Sequence, residues 1–484
     1  MAPSPLPSRL AFPARALFAS TLLVACGGTP EQPARTAASA EGLDVRYAEP
    51  VGRLVTAAQA GEHSGWAWLE TLCTEIGHRL SGSPGLARAV DWTATTLAGV
   101  EGVEVARQSV QVPYWVRGEE SLALVAPDAA TLDVIGLGGT VATPAEGVEG
   151  RVVVIGALEE LETRADEIRG NVVLLNVPMP PYDEENRRAG YGAVFRVRVD
   201  GPAMAAAQGA TAALVRSLTN DPTSPPHTGM TRYAEDGPRI PAAAITLPDA
   251  DRIAAWVAEG QEVRVRLRTS GQDLGTAESH NVIGELAGTE APEEIVVLGG
   301  HLDAWDVGQG CHDDASGVVS AMAALELMVR LGLRPRRTLR VIAWTAEENG
   351  GSGARAYAAE HGGASHVAGI ESDIGAAPVI GLHLETDDAR RERGLGQLEE
   401  LRRLLAPIGV ELVRPSFAGA DLGPLTELGT PGIGLLHDPA HYFDLHHTRT
   451  DTLEAVDRDA FLQGVAVMAA TAFVLADMPG HLGE

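Results

Sequence analysis

The amino-acid sequence predicts an α/β fold, a sandwich of helices around a mixed or parallel sheet, interrupted by a β-rich insertion. Three observations lead there. From residue 281 onward, short apolar runs alternate with longer stretches of helical periodicity, the order expected of helices packed on a sheet. Between about 117 and 275 the texture changes to short β-rich runs separated by Gly/Pro turns. The chain has 484 residues, enough for a large core plus an inserted unit.

The N-terminus reads as a targeting segment. Arg9 and Arg15 precede an apolar run, residues 16–25, that is too short to span a bilayer as a mature helix. The run ends Leu23-Val24-Ala25-Cys26-Gly27, which resembles a bacterial lipobox and predicts lipidation of Cys26; an ordinary signal peptide with a chance cysteine is the competing reading. Residues 1–26 are therefore expected to be a lipoprotein signal peptide. Residues 27–44, rich in Gly, Pro, Ala, Thr and Ser, are expected to be a flexible tether. No later stretch is expected to cross a membrane. The predicted location is the bacterial cell envelope, outside the cytoplasm, with a lipid anchor as the membrane contact.

Helical spacing recurs around Trp66-Ala67-Trp68-Leu69 and through residues 87–92, with the loop Gly77-His78-Arg79-Leu80-Ser81-Gly82-Ser83-Pro84-Gly85 between them. A strand follows at 103–112. In the insertion, strands are expected at 121–125, 151–155, 171–176, 212–216 and 262–268, with a small-residue helix at 203–209. Beyond it, strands are expected at 294–300, 339–344, 366–372 and 432–437, and helices at 317–331 and 460–475. The formal net charge is -28, and all 37 basic side chains are arginines. That balance argues against nucleic acid as a partner, because phosphate binding needs a basic face. With Cys26 lipidated, Cys73 and Cys311 remain, too few for a disulfide framework.

In open α/β sheets, functional groups gather at the carboxyl ends of strands, and the candidate residues fall there. His301 ends the first strand, where its imidazole enters a crevice. Asp303 is placed to accept the other ring N–H. Asp313 and Asp314 open the next helix, where an acidic N-terminal turn is the structural alternative. Glu347 and Glu348 follow the second strand; adjacent carboxylates there raise each other's pKa unless a cation compensates. One can bind a metal while its neighbour takes a proton from metal-bound water. Asp373 and His447 complete a set of two imidazoles and three carboxylates. If one carboxylate bridges, each of two ions has three protein ligands and an open position, and mixed N/O ligation suits zinc. Cys311 is read as a neighbour of this site, not a ligand.

The run His301-Leu302-Asp303-Ala304-Trp305-Asp306-Val307-Gly308-Gln309-Gly310, then Asp313-Asp314, then Thr345-Ala346-Glu347-Glu348, resembles the M28 zinc peptidase family. The Trp-Asp-Val-Gly-Gln-Gly segment and the paired His446-His447 are most similar to its plasma glutamate carboxypeptidase branch. Residues 139–144 and 240–243 resemble the protease-associated domain inserted in that branch. The resemblance implies a phosphorylase/hydrolase-like three-layer sandwich over 45–116 and 276–484, with a protease-associated insertion over 117–275. It implies that Asp313 bridges two zinc ions, one completed by His301 and Asp373 and the other by Glu348 and His447. Glu347 would be general base and proton donor, Asp303 the partner of His301, and Asp314 the residue after a cis peptide bond. One departure stands out: Ala315-Ser316 follow the aspartate pair where the vertebrate branch has glycines.

The expected function is hydrolysis of dipeptides or short peptides by metal-activated water. His446 and Tyr442 are candidates to polarise the oxyanion or bind substrate. Asp421 is a candidate to meet a free substrate amine, against a buried turn aspartate. The alternatives are an aminopeptidase acting on longer peptides, a glutaminyl-cyclase-like acyltransferase and a metal-free binding module. The oligomeric state, including a homodimer, is left open by the sequence.

Overall fold

A computed structural model describes residues 42–484. Cys26, the proposed lipid attachment point, and the signal-like segment lie outside the described residues. Leu43 and Asp44, expected at the end of the tether, instead sit in a short helix, Leu43–Arg46; Leu43 is buried and its N–H donates to Glu400.

Strand β1 (Val103–Val116) enters the main sheet, and the chain then builds a second sheet from β2 (Glu120–Ala126), β3 (Ala130–Leu132), β4 (Val134–Gly136), β5 (Val148–Ile155), β6 (Val172–Leu175), β7 (Ala212–Arg216), β8 (Ala242–Ile245) and β9 (Arg264–Thr269). It returns with β10 (Gln272–Leu286), β11 (Ala291–His301), β12 (Arg337–Trp344), β13 (Ser365–Glu371), β14 (Val379–Glu385), β15 (Leu412–Pro415) and β16 (Gly432–His437). The main sheet has the order β1-β10-β12-β11-β13-β16-β14-β15. Its centre, β12-β11-β13-β16, is parallel, β1-β10-β12 pair antiparallel, and β14 runs antiparallel to β16 but parallel to β15. The sheet is therefore mixed.

Alternation along β11 explains the layering. Val296 and Leu298 face a core that also takes in Leu54, Leu86, Val318, Leu398 and Val467 from five helices. Ile295 and Val297 face the opposite side, against Trp344, Tyr357, Leu422 and Leu425. A strand buried on both faces reads as a continuous apolar run, which is why 294–300 was legible. The helix Arg458–Asp477 corrects one expectation. It is long and apolar enough to cross a membrane, with a mean hydropathy of 1.7, but 94% of that window is buried inside the protein. It is a core helix.

The second sheet, ordered β3-β2-β9-β5-β6-β7-β8-β4, is also mixed, with β5 to β8 parallel. Both of its faces are covered. Val153 and Val173 pack toward the helix Gly201–Ala207, while Val152 and Val172 pack toward the helix Leu247–Ala258, through Ala250 and Ile253. The sequence reading missed that second helix. Cys73 and Cys311, 238 residues apart, are disulfide-bonded, with Cα atoms 5.6 Å apart. The expectation of no disulfide framework thus becomes a single bridge, formed because the turn Thr71–Ile76 packs against the segment that begins at Cys311.

Leu298 is fully buried in the strand that ends in His301. Leu298→Ala should destabilise the protein by about 2–5 kcal/mol, read as a lowered thermal midpoint; an unchanged midpoint would contradict the packing described.

Candidate active site

The parallel centre of the sheet delivers side chains to one edge. His301 is the last residue of β11, Glu347 and Glu348 lie just past the end of β12, and Asp373 lies two residues past β13. Asp313 and Asp314 come from the turn Cys311–Ala315, between β11 and the helix Ser316–Arg330, and the peptide bond joining them is cis. His446 and His447 follow the short helix Tyr442–Leu445, after β16.

The five proposed ligands converge. His301 Nε2 lies 3.2 Å from Asp313 Oδ1 and 3.3 Å from Asp373 Oδ1. His447 Nε2 lies 3.2 Å from Asp313 Oδ2 and 3.0 Å from Glu348 Oε2. Asp313 therefore stands between two imidazoles, one oxygen toward each. His446 is stacked on His447 with ring centroids 3.5 Å apart, and its Nε2 is 3.7 Å from Asp313 Oδ2, so it too can reach this oxygen. Asp313 Oδ2 and Glu348 Oε1 are buried without a hydrogen-bond partner. Buried carboxylate oxygens are costly to leave unmet, so the donor set fits a cation.

The electrostatics agree. Burial, then Asp313, lifts the Glu348 carboxyl above its usual range. Burial lifts Glu347 well above it too, with Asp373 and Glu348 adding to the shift. Asp373 is raised by burial. Burial alone would depress His301, yet Asp373 and Asp313 hold it well above an ordinary histidine. Asp313 shows the reverse balance: burial pushes it up, and the His301 and His447 rings pull it well below. Carboxylates this close are mutually destabilising until positive charge is placed among them.

Asp303 does not play the part expected of it. His301 Nδ1–H donates to the Asp303 backbone carbonyl at 2.9 Å, while the Asp303 carboxylate oxygen lies 3.7 Å from that nitrogen. The carboxylate turns instead to the next strand end, accepting the backbone N–H of Glu347 at 3.1 Å and of Glu348 at 3.2 Å. Asp314 accepts the His301 N–H at 3.1 Å and the Gly317 N–H at 3.1 Å. A Cβ at Gly300 would come within 2.2 Å of Asp314 Oδ2, so only glycine lets this carboxylate in.

Tyr442, His446, Glu347 and Asp373 line a cleft of about 340 Å³ together with Tyr191, Arg198 and Met230 from the second-sheet segment. Asp421 is absent from that lining. It is buried, its N–H donates to Glu371, and both of its own oxygens lack partners. It is therefore a buried turn aspartate and not placed to meet a substrate amine.

Several residues that hold the site were not foreseen. The Asp451 carboxylate accepts the N–H groups of Cys311 at 3.0 Å, His312 at 2.8 Å and Asp313 at 3.2 Å. Arg79, fully buried, donates to the carbonyls of Leu302, Gly77, Gln309 and Gly310. The Trp305 indole N–H donates to Glu348 Oε2 at 2.6 Å, and Asp306 takes Arg117 in a bidentate pair at 2.8 and 2.7 Å. Gln309 accepts the Leu453 N–H at 2.8 Å. The Trp-Asp-Val-Gly-Gln-Gly run is thus a set of struts, a signal present in the sequence whose partners were not.

Residues 281–472 match the model of Peptidase family M28. Carboxypeptidase Q from Bos taurus is 36% identical over 413 residues, covering 85% of this chain and 84% of that protein. A solved peptidase M28 precursor from Shewanella amazonensis SB2B is similar with a TM-score of 0.85 and 34% identity, over 91% of this chain and 98% of that one. A zinc aminopeptidase from Bacillus subtilis, 19% identical, shares the fold with a TM-score of 0.59 over 84% of this chain and 93% of its own. Fold, site and likeness define a metallo-exopeptidase. The chain belongs to peptidase family M28.

Asp451→Ala should weaken metal binding roughly 10–100-fold, measured by competition with a chromophoric chelator. Affinity equal to that of the unaltered protein would remove Asp451 from the support of Asp313.

Proposed function

We propose that this chain is a two-zinc exopeptidase that hydrolyses dipeptides or short peptides, with Glu347 as general base. One observation carries the reading: Asp313 presents Oδ1 to His301, whose Nε2 also meets Asp373, and Oδ2 to His447, whose Nε2 also meets Glu348. That is the geometry of a bridging carboxylate between two three-ligand sites. His301, Asp313 and Asp373 would hold one ion, and Asp313, Glu348 and His447 the other. The neighbour known as a zinc aminopeptidase and the mixed imidazole and carboxylate donor set support zinc.

Zinc bound there supplies a Lewis acid and lowers the pKa of water. The protein's own groups do the rest. Glu347 lies partly exposed on the cleft lining, and its raised pKa suits it to accept a proton from the attacking water and return it to the leaving amine. Asp303 fixes Glu347 and Glu348 through their backbone N–H groups, and the Asp303 carbonyl orients His301 so that Nε2 faces Asp313 and Asp373. Tyr442 and His446 face the same cleft and are assigned to substrate or oxyanion.

The unit between β1 and β10 is proposed to be a protease-associated domain that shapes the cleft. The first half of that reading rests on the resemblance of residues 139–144 and 240–243, and Tyr191, Arg198 and Met230 on the cleft lining support the shaping role. Export and lipid attachment at Cys26 are proposed on the lipobox-like run alone.

Glu347→Gln should abolish turnover of a dipeptide panel while the purified protein keeps its zinc; retained activity would remove Glu347 from the role. Chelator should silence the unaltered enzyme and added zinc should restore it, whereas chelator-insensitive hydrolysis would contradict the metal-dependent reading. Cys26→Ala should move the protein from the membrane to the soluble fraction of expressing cells. Unaltered fractionation would argue for an ordinary signal peptide.

A further inference from the structure

The cleft lining contains one arginine that the proposed mechanism does not use. Arg198 is only 5% exposed. Among the described residues there are three other buried arginines. Arg79 spends its donors on four backbone carbonyls, Arg216 pairs with Asp251, and Arg337 pairs with Glu294. Arg198 has neither arrangement. Its Nη1 donates to the Thr228 carbonyl at 3.1 Å and lies 3.2 Å from His447 Nδ1, its Nη2 donates to the Tyr191 hydroxyl oxygen at 2.6 Å, and its Nε has no partner. No carboxylate of the described residues pairs with it. A buried guanidinium is costly unless an anion faces it.

The surroundings hold this cation in place. A Cβ at Gly229, where φ is +135°, would come within 2.3 Å of Arg198 Cζ, so a larger residue would displace the guanidinium. The Tyr191 ring, stacked on Phe443 at 4.5 Å, cannot swing away freely. Because the Tyr191 oxygen accepts from Nη2, its own O–H proton is left to donate elsewhere. Tyr191 is partly exposed and lines the same cleft as Glu347 and Asp373. The cleft therefore pairs a hydrolytic site with a hydroxyl donor backed by an unneutralised positive charge.

We propose that Tyr191 and Arg198 receive the free α-carboxylate at the C-terminal end of the peptide substrate, the Tyr191 O–H donating to it and Arg198 compensating its charge. This rests on reading the cleft as a peptidase site. The inserted unit then sets where the end of the substrate lies relative to Glu347, which makes substrate length a property of residues 191 and 198 and not of the metal ligands. A C-terminal carboxamide has the same shape without the charge, so it separates this role from general packing.

The test is kcat/KM for a panel of dipeptides and their C-terminal carboxamides, with the unaltered enzyme, Arg198→Gln and Tyr191→Phe, all assayed for zinc content. The unaltered enzyme should prefer the acids. In both variants the acid-to-amide ratio should fall roughly 10- to 100-fold, through KM, with zinc retained. No acid preference in the unaltered enzyme, or an unchanged ratio in the variants, overturns the proposal. If Arg198→Gln fails to fold, Tyr191→Phe decides by the same ratio. Calorimetric binding of the same acid and amide pairs to zinc-loaded Glu347→Gln separates the two levels. Tighter binding of the acids without any turnover by the unaltered enzyme would sink the peptidase reading and leave the carboxylate site standing; equal binding sinks the carboxylate site.

Discussion

Four carboxyl groups, from Asp313, Glu347, Glu348 and Asp373, meet two imidazoles beyond the carboxyl ends of four neighbouring parallel strands, and most of that charge is out of water. Left to themselves these groups repel one another, and burial sharpens the repulsion. Their arrangement makes sense as a receptacle for cations, with Asp313 shared between two halves. The surrounding structure either brings these groups together or keeps them from relaxing apart.

That second task explains how many buried polar groups serve backbone and not chemistry. Asp451 gathers three successive N–H groups so that the Asp313 segment cannot move, and Arg79 ties four carbonyls of the neighbouring loops together. The Cys73–Cys311 bridge fastens the same segment to the N-terminal helices. Asp303 spans from the β11 end to the β12 end. On the far side, His447 is steadied from the second-sheet unit: its carbonyl accepts the Thr228 N–H at 3.0 Å, and its Nδ1 lies 3.3 Å from the Thr228 carbonyl. The proposed ligand set is thus held by both parts of the chain.

The sequence made the metal half legible because its central strands are buried on both faces. Such strands appear as compact apolar runs, and a polar residue directly after one stands out, as His301, Glu347, Glu348 and Asp373 do. Elements without that contrast were missed. The helix Asp388–Leu405 shows only Gly394, Leu398, Leu401 and Leu405 to the core, among many charges, although the Asp387 cap and the Leu spacing were available signals. β14 and β15 went with it. Asp303 was aimed at the His301 ring, whereas its carboxylate turns to the Glu347 and Glu348 N–H groups, because i, i+2 spacing says nothing of the turn that rotates it toward β12. Arg198, Tyr191 and Asp451 could not be read at all: their partners lie far away in sequence, and only the folded chain brings Arg198 to His447 or Asp451 to Asp313.

The central claim is that Asp313 sits between two bound ions. Elemental analysis of purified, zinc-replete protein, combined with anomalous diffraction at the zinc edge, measures this directly. Two zinc atoms per chain, flanking Asp313 with one beside His301 and the other beside His447, are the predicted result. Protein without stoichiometric metal, or density for an ion anywhere but between those side chains, would contradict it.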